Sequence, residues 1–150
     1  MNDQIIPYGK GDATFQAVGS ELGVRLLVDK FYDIMSQKQP YQKIWAWHPD
    51  DKQITRDKLY VFLCAWMGGP SQYAPMYGKL NIPKAHSHLT IGEYERDLWL
   101  DCMQDAMTEL CFPKQLNKYL IKQFAIPAER IRQISKSAIH DSRADDTSGF

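Results

Sequence analysis

The chain has 150 residues, 44% hydrophobic and 24% charged, with 18 basic and 18 acidic side chains and a formal net charge of zero. That length suits one domain with a real core, and the balanced charge argues against a general nucleic-acid or membrane-surface binder, which needs a basic excess. No apolar run approaches the roughly 18 to 20 residues of a membrane-spanning helix, and Met1-Asn2-Asp3-Gln4 lacks the positive-then-apolar order of a signal peptide, so a cytoplasmic location is expected.

Residues 1 to 11 are polar, carry Pro7, Gly9 and Gly11, and read as an extended segment outside the core. Asp12-Ala13-Thr14-Phe15 can cap and begin a short helix, which Gly19-Ser20 breaks. A second helix is expected over about Glu21 to Gln37. There Val24, Leu27, Val28, Phe31, Ile34 and Met35 recur at steps of three and four and give one apolar stripe, with Tyr32 beside it. Pro40 ends that segment. Tyr41 to Pro49 is a short aromatic-rich connection holding Trp45, Trp47 and His48, and Pro49-Asp50 marks a turn and supplies a cap.

The third helix is expected from about Ile54 to Trp66, with Leu59, Phe62, Leu63 and Trp66 as its buried face and Ile54 or Thr55 opening it one turn earlier. Gly68-Gly69-Pro70 stops it. Residues 71 to 83 carry Tyr73, Pro75, Gly78 and Pro83 and read as a long loop, of a kind that often serves function. A fourth helix is expected over about Gly92 to Leu110, with Leu98, Trp99, Cys102, Met103, Ala106 and Leu110 on its apolar side, ending at Phe112-Pro113. The last pattern, Leu116, Leu120, Phe124, Pro127, Ile131, Ile134 and Ala138, holds one helical face, with a kink or break expected at Pro127. From Asp141 the residues are polar and small and read as a disordered tail. No segment alternates with a strand period, so the fold class is all-α, without a repeat or a second domain.

The stretch that carries chemistry is Lys84-Ala85-His86-Ser87-His88-Leu89-Thr90-Ile91, followed by Glu95-Arg96-Asp97-Leu98-Trp99-Leu100. A histidine just before a helix can reach the face of a planar cofactor while that helix walls the pocket. By residue type alone such a histidine is more often a surface or cap residue, and Trp99 on an apolar face is core. A zinc site from His48, His86, His88 and a cysteine lacks any standard ligand spacing.

Taken in order, the chain reads helix, aromatic corner, helix, Gly-Gly stop, long loop, histidine and Trp-bearing helix. With Phe31-Tyr32, Trp66-Met67-Gly68-Gly69-Pro70, Tyr73, and His86 to Ile91 leading into Glu95 to Leu100, it resembles the group II truncated haemoglobins from about Asp12 to Ile139. The resemblance implies a two-over-two helical sandwich around haem b, iron protoporphyrin IX, over residues 12–140, with 1–11 as an N-terminal extension and 141–150 as the tail. It puts the proximal iron ligand on His86, thirteen positions before Trp99. It assigns Tyr32, His48 and Trp99 to the gas-binding side and Phe31, Thr55, Leu59 and Phe62 to the pocket wall. Tyr73 matches a tyrosine that bonds a haem propionate, and Lys84 could be a second partner; His88 points elsewhere and His140 reads as solvated. The chain departs from the family pattern at Gly19-Ser20, in a longer corner before His48 that leaves Trp45 as the other candidate, at Pro127 and in its extra N-terminal residues.

Cys64, Cys102 and Cys111 form no C-x-x-C zinc pattern and no C-x-x-C-H attachment motif. They read as free thiols, and any haem would be held non-covalently. Tyr32, Trp99 and His48 would offer three hydrogen-bond donors to dioxygen, each contributing roughly 1.5 to 3 kcal/mol. Since about 1.4 kcal/mol is tenfold, release would be slow. The implied function is reversible binding of oxygen and other small ligands such as nitric oxide and carbon monoxide. The alternative is an enzyme that detoxifies nitric oxide, peroxide or peroxynitrite. No G-x-G-x-x-G nucleotide fingerprint is present, so that enzyme would need a partner reductase. In the absence of gas Tyr32 or His48 could bind the iron, and a haem-free helical interaction protein is the third reading.

Overall fold

The apolar stripe expected on the second helix is the axis of the observed fold. A computed structural model describes residues 7–48, 52–70 and 91–138, the side chains of 134–138 excepted. In it α2 spans Ser20–Gln37. Val24, Leu27, Val28, Phe31, Ile34 and Met35 are all buried, as one face of a helix with apolar residues at steps of three and four requires. Around α2 stand α1 (Ala13–Val18), a 3₁₀ turn (Gln39–Tyr41), α3 (Gln42–Trp45), α4 (Lys52–Trp66), α5 (Glu93–Glu109) and α6 (Lys114–Ala138). No strand occurs among the described residues, and the all-α class holds.

The main packing pairs are α2 with α4, α2 with α5 and α5 with α6. One core results. Leu59 and Leu63 of α4, Met103 and Ala106 of α5, and Leu116 and Leu120 of α6 join the α2 stripe in a single buried cluster. Among the described residues no helix is long and apolar enough to cross a membrane.

Helix ends are set by local chemistry. Gly19, at φ +106°, separates α1 from α2. Gly68, at φ +94°, closes α4 in the left-handed region that favours glycine. A Cβ there would lie 2.0 Å from the Gly11 carbonyl oxygen, so the close approach also excludes a side chain. The turn lets the Phe15 N–H donate to the Met67 carbonyl at 3.1 Å, which docks the end of α4 on α1. At the start of α5 the Glu95 carboxylate accepts the Gly92 N–H at 2.7 Å and the Lys43 ammonium at 2.9 Å. One buried carboxylate therefore caps α5 and ties it to α3. The Tyr41 hydroxyl adds a second tie, donating to Asp105 at 2.6 Å.

Several expectations are corrected. Residues 7 to 12 are not extended: the Lys10 N–H donates to Pro7 and the Ala13 N–H to Lys10, and Tyr8 packs on Tyr119 with ring centres 5.1 Å apart. The glycines permit the turns, and mutual burial of two rings favours them. Asp12 does not cap α1 with its side chain; its carboxylate accepts from the Gln16 amide instead. Of the two residues offered for the opening of the α4 face, Thr55 is the buried one and Ile54 is 45% exposed. Met107 joins the buried side of α5 as well.

The expected break at Pro127 does not occur, because α6 runs without interruption from Lys114 to Ala138. Proline removes one backbone donor, but ion pairs hold the helix beyond it. Arg96 of α5 donates to Glu129 at 2.8 Å, and Arg132 pairs with the same carboxylate. Arg132 and Arg96 hold the Glu129 carboxyl down to about 2. The Pro49-Asp50 turn, the loop of 71–83 and the tail from Asp141 lie outside the described residues.

Two predictions follow from these contacts. Pro127→Ala restores a helix donor and should raise stability by up to about 3 kcal/mol, read as a higher midpoint in thermal melting followed by circular dichroism. Glu95 behaves differently. Its hydrogen bond from Lys43 is the main cause that holds its carboxyl below the usual glutamate range. Its contribution to stability is therefore present above that range, about pH 4.3, and is lost as pH falls through the lowered folded value. Glu95→Gln should flatten that part of the acid stability profile; an unchanged profile would refute the role.

Candidate functional site

Two adjacent residues of α2 build the site. Successive helical side chains point about 100° apart, so Phe31 and Tyr32 serve different neighbours. The Phe31 ring lies edge-on to Trp99 of α5, centres 5.1 Å apart. The Tyr32 ring faces the corner after α3, meeting His48 edge-on at 5.4 Å and Trp45 at 6.2 Å. The two rings touch each other at 4.9 Å.

Tyr32 is fully buried, and its hydroxyl is a buried polar atom without a hydrogen-bond partner among the described residues. Burial pushes its pKa up, against the opposing influence of Arg56, so it remains a neutral phenol able to donate. An unpaired buried hydroxyl costs roughly 1–3 kcal/mol. A site that retains one is shaped for a partner that accepts.

The corner fixes His48. Turns at Trp47 and His48 continue α3, and His48 Nδ1 lies 2.9 Å from the Ile44 carbonyl oxygen. A carbonyl only accepts, so Nδ1 carries the proton and, in the neutral ring, Nε2 carries the lone pair. Trp45, the other corner candidate, touches both Tyr32 and His48, the latter at 5.9 Å.

Besides Phe31, the residues expected on the pocket wall lie on helix α4. Thr55 and Leu59 are buried on it and Phe62 is partly buried, at steps of four and three that put them on one face. The same helix is clamped to α2 by Arg56. Its guanidinium donates to the Asp29 carbonyl at 3.1 Å, to the Asp29 carboxylate at 3.2 Å and to Asp33 at 2.7 Å, and sits 5.9 Å from the centre of the Tyr32 ring. Arg56 was not singled out from the sequence. The available signal was the acidic pair Asp29 and Asp33, one turn apart on α2. From α5, Cys102 donates its thiol to the Phe31 carbonyl at 3.3 Å, and burial raises its pKa, as expected of an inert packing cysteine. Cys64 is buried and also raised by burial; Cys111 is exposed, and all three thiols are free.

The structure thus brings together Phe31, Tyr32, His48 and Trp99 from three separated parts of the chain. It places Thr55, Leu59 and Phe62 on the helix packed against α2. Tyr73, Lys84, His86 and His88 lie outside the described residues, as does His140.

Comparison with known proteins agrees with this architecture. The model of the bacterial-like globin family matches residues 13–133. A group 2 truncated hemoglobin of Bacillus subtilis is 28% identical over 120 residues, 80% of this chain and 88% of that protein. Among solved structures, a group II two-on-two hemoglobin from Agrobacterium tumefaciens aligns with TM-score 0.75 at 26% identity, covering 88% of this chain and 98% of that one. A cold-adapted truncated hemoglobin from the Antarctic marine bacterium Pseudoalteromonas haloplanktis aligns with TM-score 0.74 at 26% identity, covering 79% and 95%.

The orphaned hydroxyl yields a stability test. In protein without a bound ligand, Tyr32→Phe removes an unpaired polar atom and keeps the ring. Its urea midpoint should rise, by an amount equivalent to about 1–3 kcal/mol. Leu27→Ala, which empties core volume beside it, should lose about 2–5 kcal/mol. A drop in the Tyr32→Phe midpoint would show that the hydroxyl is satisfied in solution.

Proposed function

The chain belongs to the bacterial-like globin family, whose cofactor is haem, and from that premise we propose that it binds oxygen and other small gaseous ligands reversibly, with His86 on the iron and Tyr32, Trp99 and His48 on the gas side. The observation that carries this reading is the Tyr32 hydroxyl, a buried donor whose acceptor is not among the described side chains. The described residues fit haem. Apolar Phe31, Leu59 and Phe62 suit the wall of a flat macrocycle, and Tyr32, whose ring touches Phe31, meets the His48 ring edge-on.

Haem, when bound, supplies an iron with one position open to a small gas. This chain's residues do the rest. Tyr32 donates from a hydroxyl that burial keeps protonated. Trp99 has only a donor to offer, its indole N–H. His48, anchored through Nδ1 to the Ile44 carbonyl, presents a lone pair at Nε2 when neutral and donates there only as imidazolium. Tyr32 and Trp99 therefore carry donation while His48 is neutral. Phe31, seated between them, fixes their spacing, with ring centres 4.9 Å from Tyr32 and 5.1 Å from Trp99. In this reading Tyr73 and Lys84 hold the propionates, and Thr55, Leu59 and Phe62 exclude water from the gas side.

Spectra of the ferric, ferrous and carbonyl forms test the reading. His86→Ala should abolish the Soret band and His88→Ala should keep it. Tyr32→Phe should speed oxygen release, followed by stopped flow, by roughly ten- to a hundredfold, the equivalent of one donor at about 1.4 kcal/mol per decade. A preparation that takes up no haem would overturn the assignment.

A further inference from the structure

A second feature of the molecule leads away from the gas side. Trp99 meets the Phe124 ring edge-on at 5.5 Å, and Phe124 stacks on Trp66 at 4.6 Å with the planes 17° apart. Phe124 is buried, so the link is dry, whereas Trp66 is half-buried and lines a surface cleft of about 290 Å³. Thr14, Gly68, Tyr119 and Gln123 also line that cleft. None of the lining residues carries a charge at neutral pH. Its polar groups are a hydroxyl, a phenol, an amide and backbone. Its volume is at the small end for ligand pockets and suits a molecule of one ring.

Resting on the haem reading above, we propose that Trp99, Phe124 and Trp66 form a one-electron relay, and that the cleft at Trp66 takes a small uncharged phenol as electron donor to peroxide. Electron transfer weakens steeply with the gap to be crossed, and ring-to-ring contact leaves almost none. Phe124 is not itself readily oxidised and serves as the bridge between two indoles that are.

The placement of cations gives the relay a direction. Removing an electron from a ring creates positive charge, which a neighbouring cation opposes. Lys52 sits 4.7 Å from the centre of Trp45, Arg25 4.0 Å from that of Tyr60 and Arg56 5.9 Å from that of Tyr32. Neither Trp99 nor Trp66 has a cation over its ring among the described residues. An oxidising equivalent on the gas side therefore settles on the branch from Trp99 to Trp66, where the cleft opens.

The step balances. Each phenol in the cleft gives one electron to the oxidised Trp66 ring and its hydroxyl proton to water, leaving a phenoxyl radical that departs. Two such electrons, passed inward one at a time, and two protons convert one hydrogen peroxide to two waters. The oxidant is the peroxide and the reductant is the phenol.

The test uses the haem-loaded protein, hydrogen peroxide and guaiacol. Freeze-quench electron paramagnetic resonance of the parent protein should show a tryptophanyl radical. In Trp66→Phe the signal should persist on Trp99 and no longer decay when guaiacol is added, and guaiacol oxidation should fall severalfold. Phe124→Leu keeps Trp66 and should likewise leave a signal that guaiacol does not discharge, because the bridge is gone. Guaiacol should quench tryptophan fluorescence in the parent and do so far less in Trp66→Phe, a readout independent of turnover. Carbon monoxide association should be unchanged in Trp66→Phe, which establishes that the variant is folded. A tryptophanyl signal that guaiacol still discharges in both variants overturns the relay, as does the absence of any tryptophanyl signal in a haem-loaded parent protein. Absence of a Soret band would instead remove the haem reading, and the relay with it.

Discussion

A phenol hydroxyl held in the protein interior without an acceptor among the described residues is the constraint around which the candidate site is built. Such a group is expensive to keep. A chain free to relax would turn the ring toward water or bring a carbonyl to it. Neither happens, because Tyr32 sits in a helix whose register is set by the residues around it. Leu27, Val28, Phe31 and Met35 are all fully buried on the same helix. Rotating α2 to free one hydroxyl would expose all of them, and each buried apolar side chain is worth about 1.5–3 kcal/mol. The stripe wins, and the hydroxyl stays in the interior.

The neighbouring elements are fastened so that this position is kept. Arg56 joins α4 to α2 through two carboxylates and one carbonyl. Glu95 joins the start of α5 to α3 through Lys43, and Tyr41 joins the preceding turn to α5 through Asp105. Arg96 and Glu129 join α5 to the half of α6 beyond its proline. These polar ties lie at the ends and edges of helices whose centres pack by apolar contact. Their combined effect is to hold Trp99 against Phe31 and His48 against Tyr32, residues that come from three elements, at ring-contact distances. Donation to a small ligand needs that arrangement in place before the ligand arrives.

The same helices sort aromatic rings by charge. Cations stand over Trp45, Tyr60 and Tyr32, where they strengthen packing through the ring quadrupole. Trp99, Phe124 and Trp66 form a branch of the core with no such neighbour among the described residues. Aromatic surplus in a small protein is ordinarily a packing device, and here it is that as well. What distinguishes this branch is that it runs from the candidate gas side to a cleft at the surface.

Local periodicity determined much of this protein by itself. The stripe of α2, the burial of Leu116, Leu120 and Phe124 on α6, the stop at Gly68-Gly69 and the all-α class were legible because each depends on residues within a few positions of one another. The pairing of Phe31-Tyr32 with Trp99 was legible only through resemblance to a family, since no local rule links positions so far apart. Only the tertiary structure decided the rest. It recruited Arg56 as the clamp, turned residues 7 to 12 onto Tyr119 and carried α6 through Pro127. Each of these outcomes is a contest between a local preference and a contact from a distant element. Proline favours a break by one lost hydrogen bond, and Arg96 from another helix helps hold the chain beyond it. Such contests are settled by proximity in space, which a linear pattern does not contain.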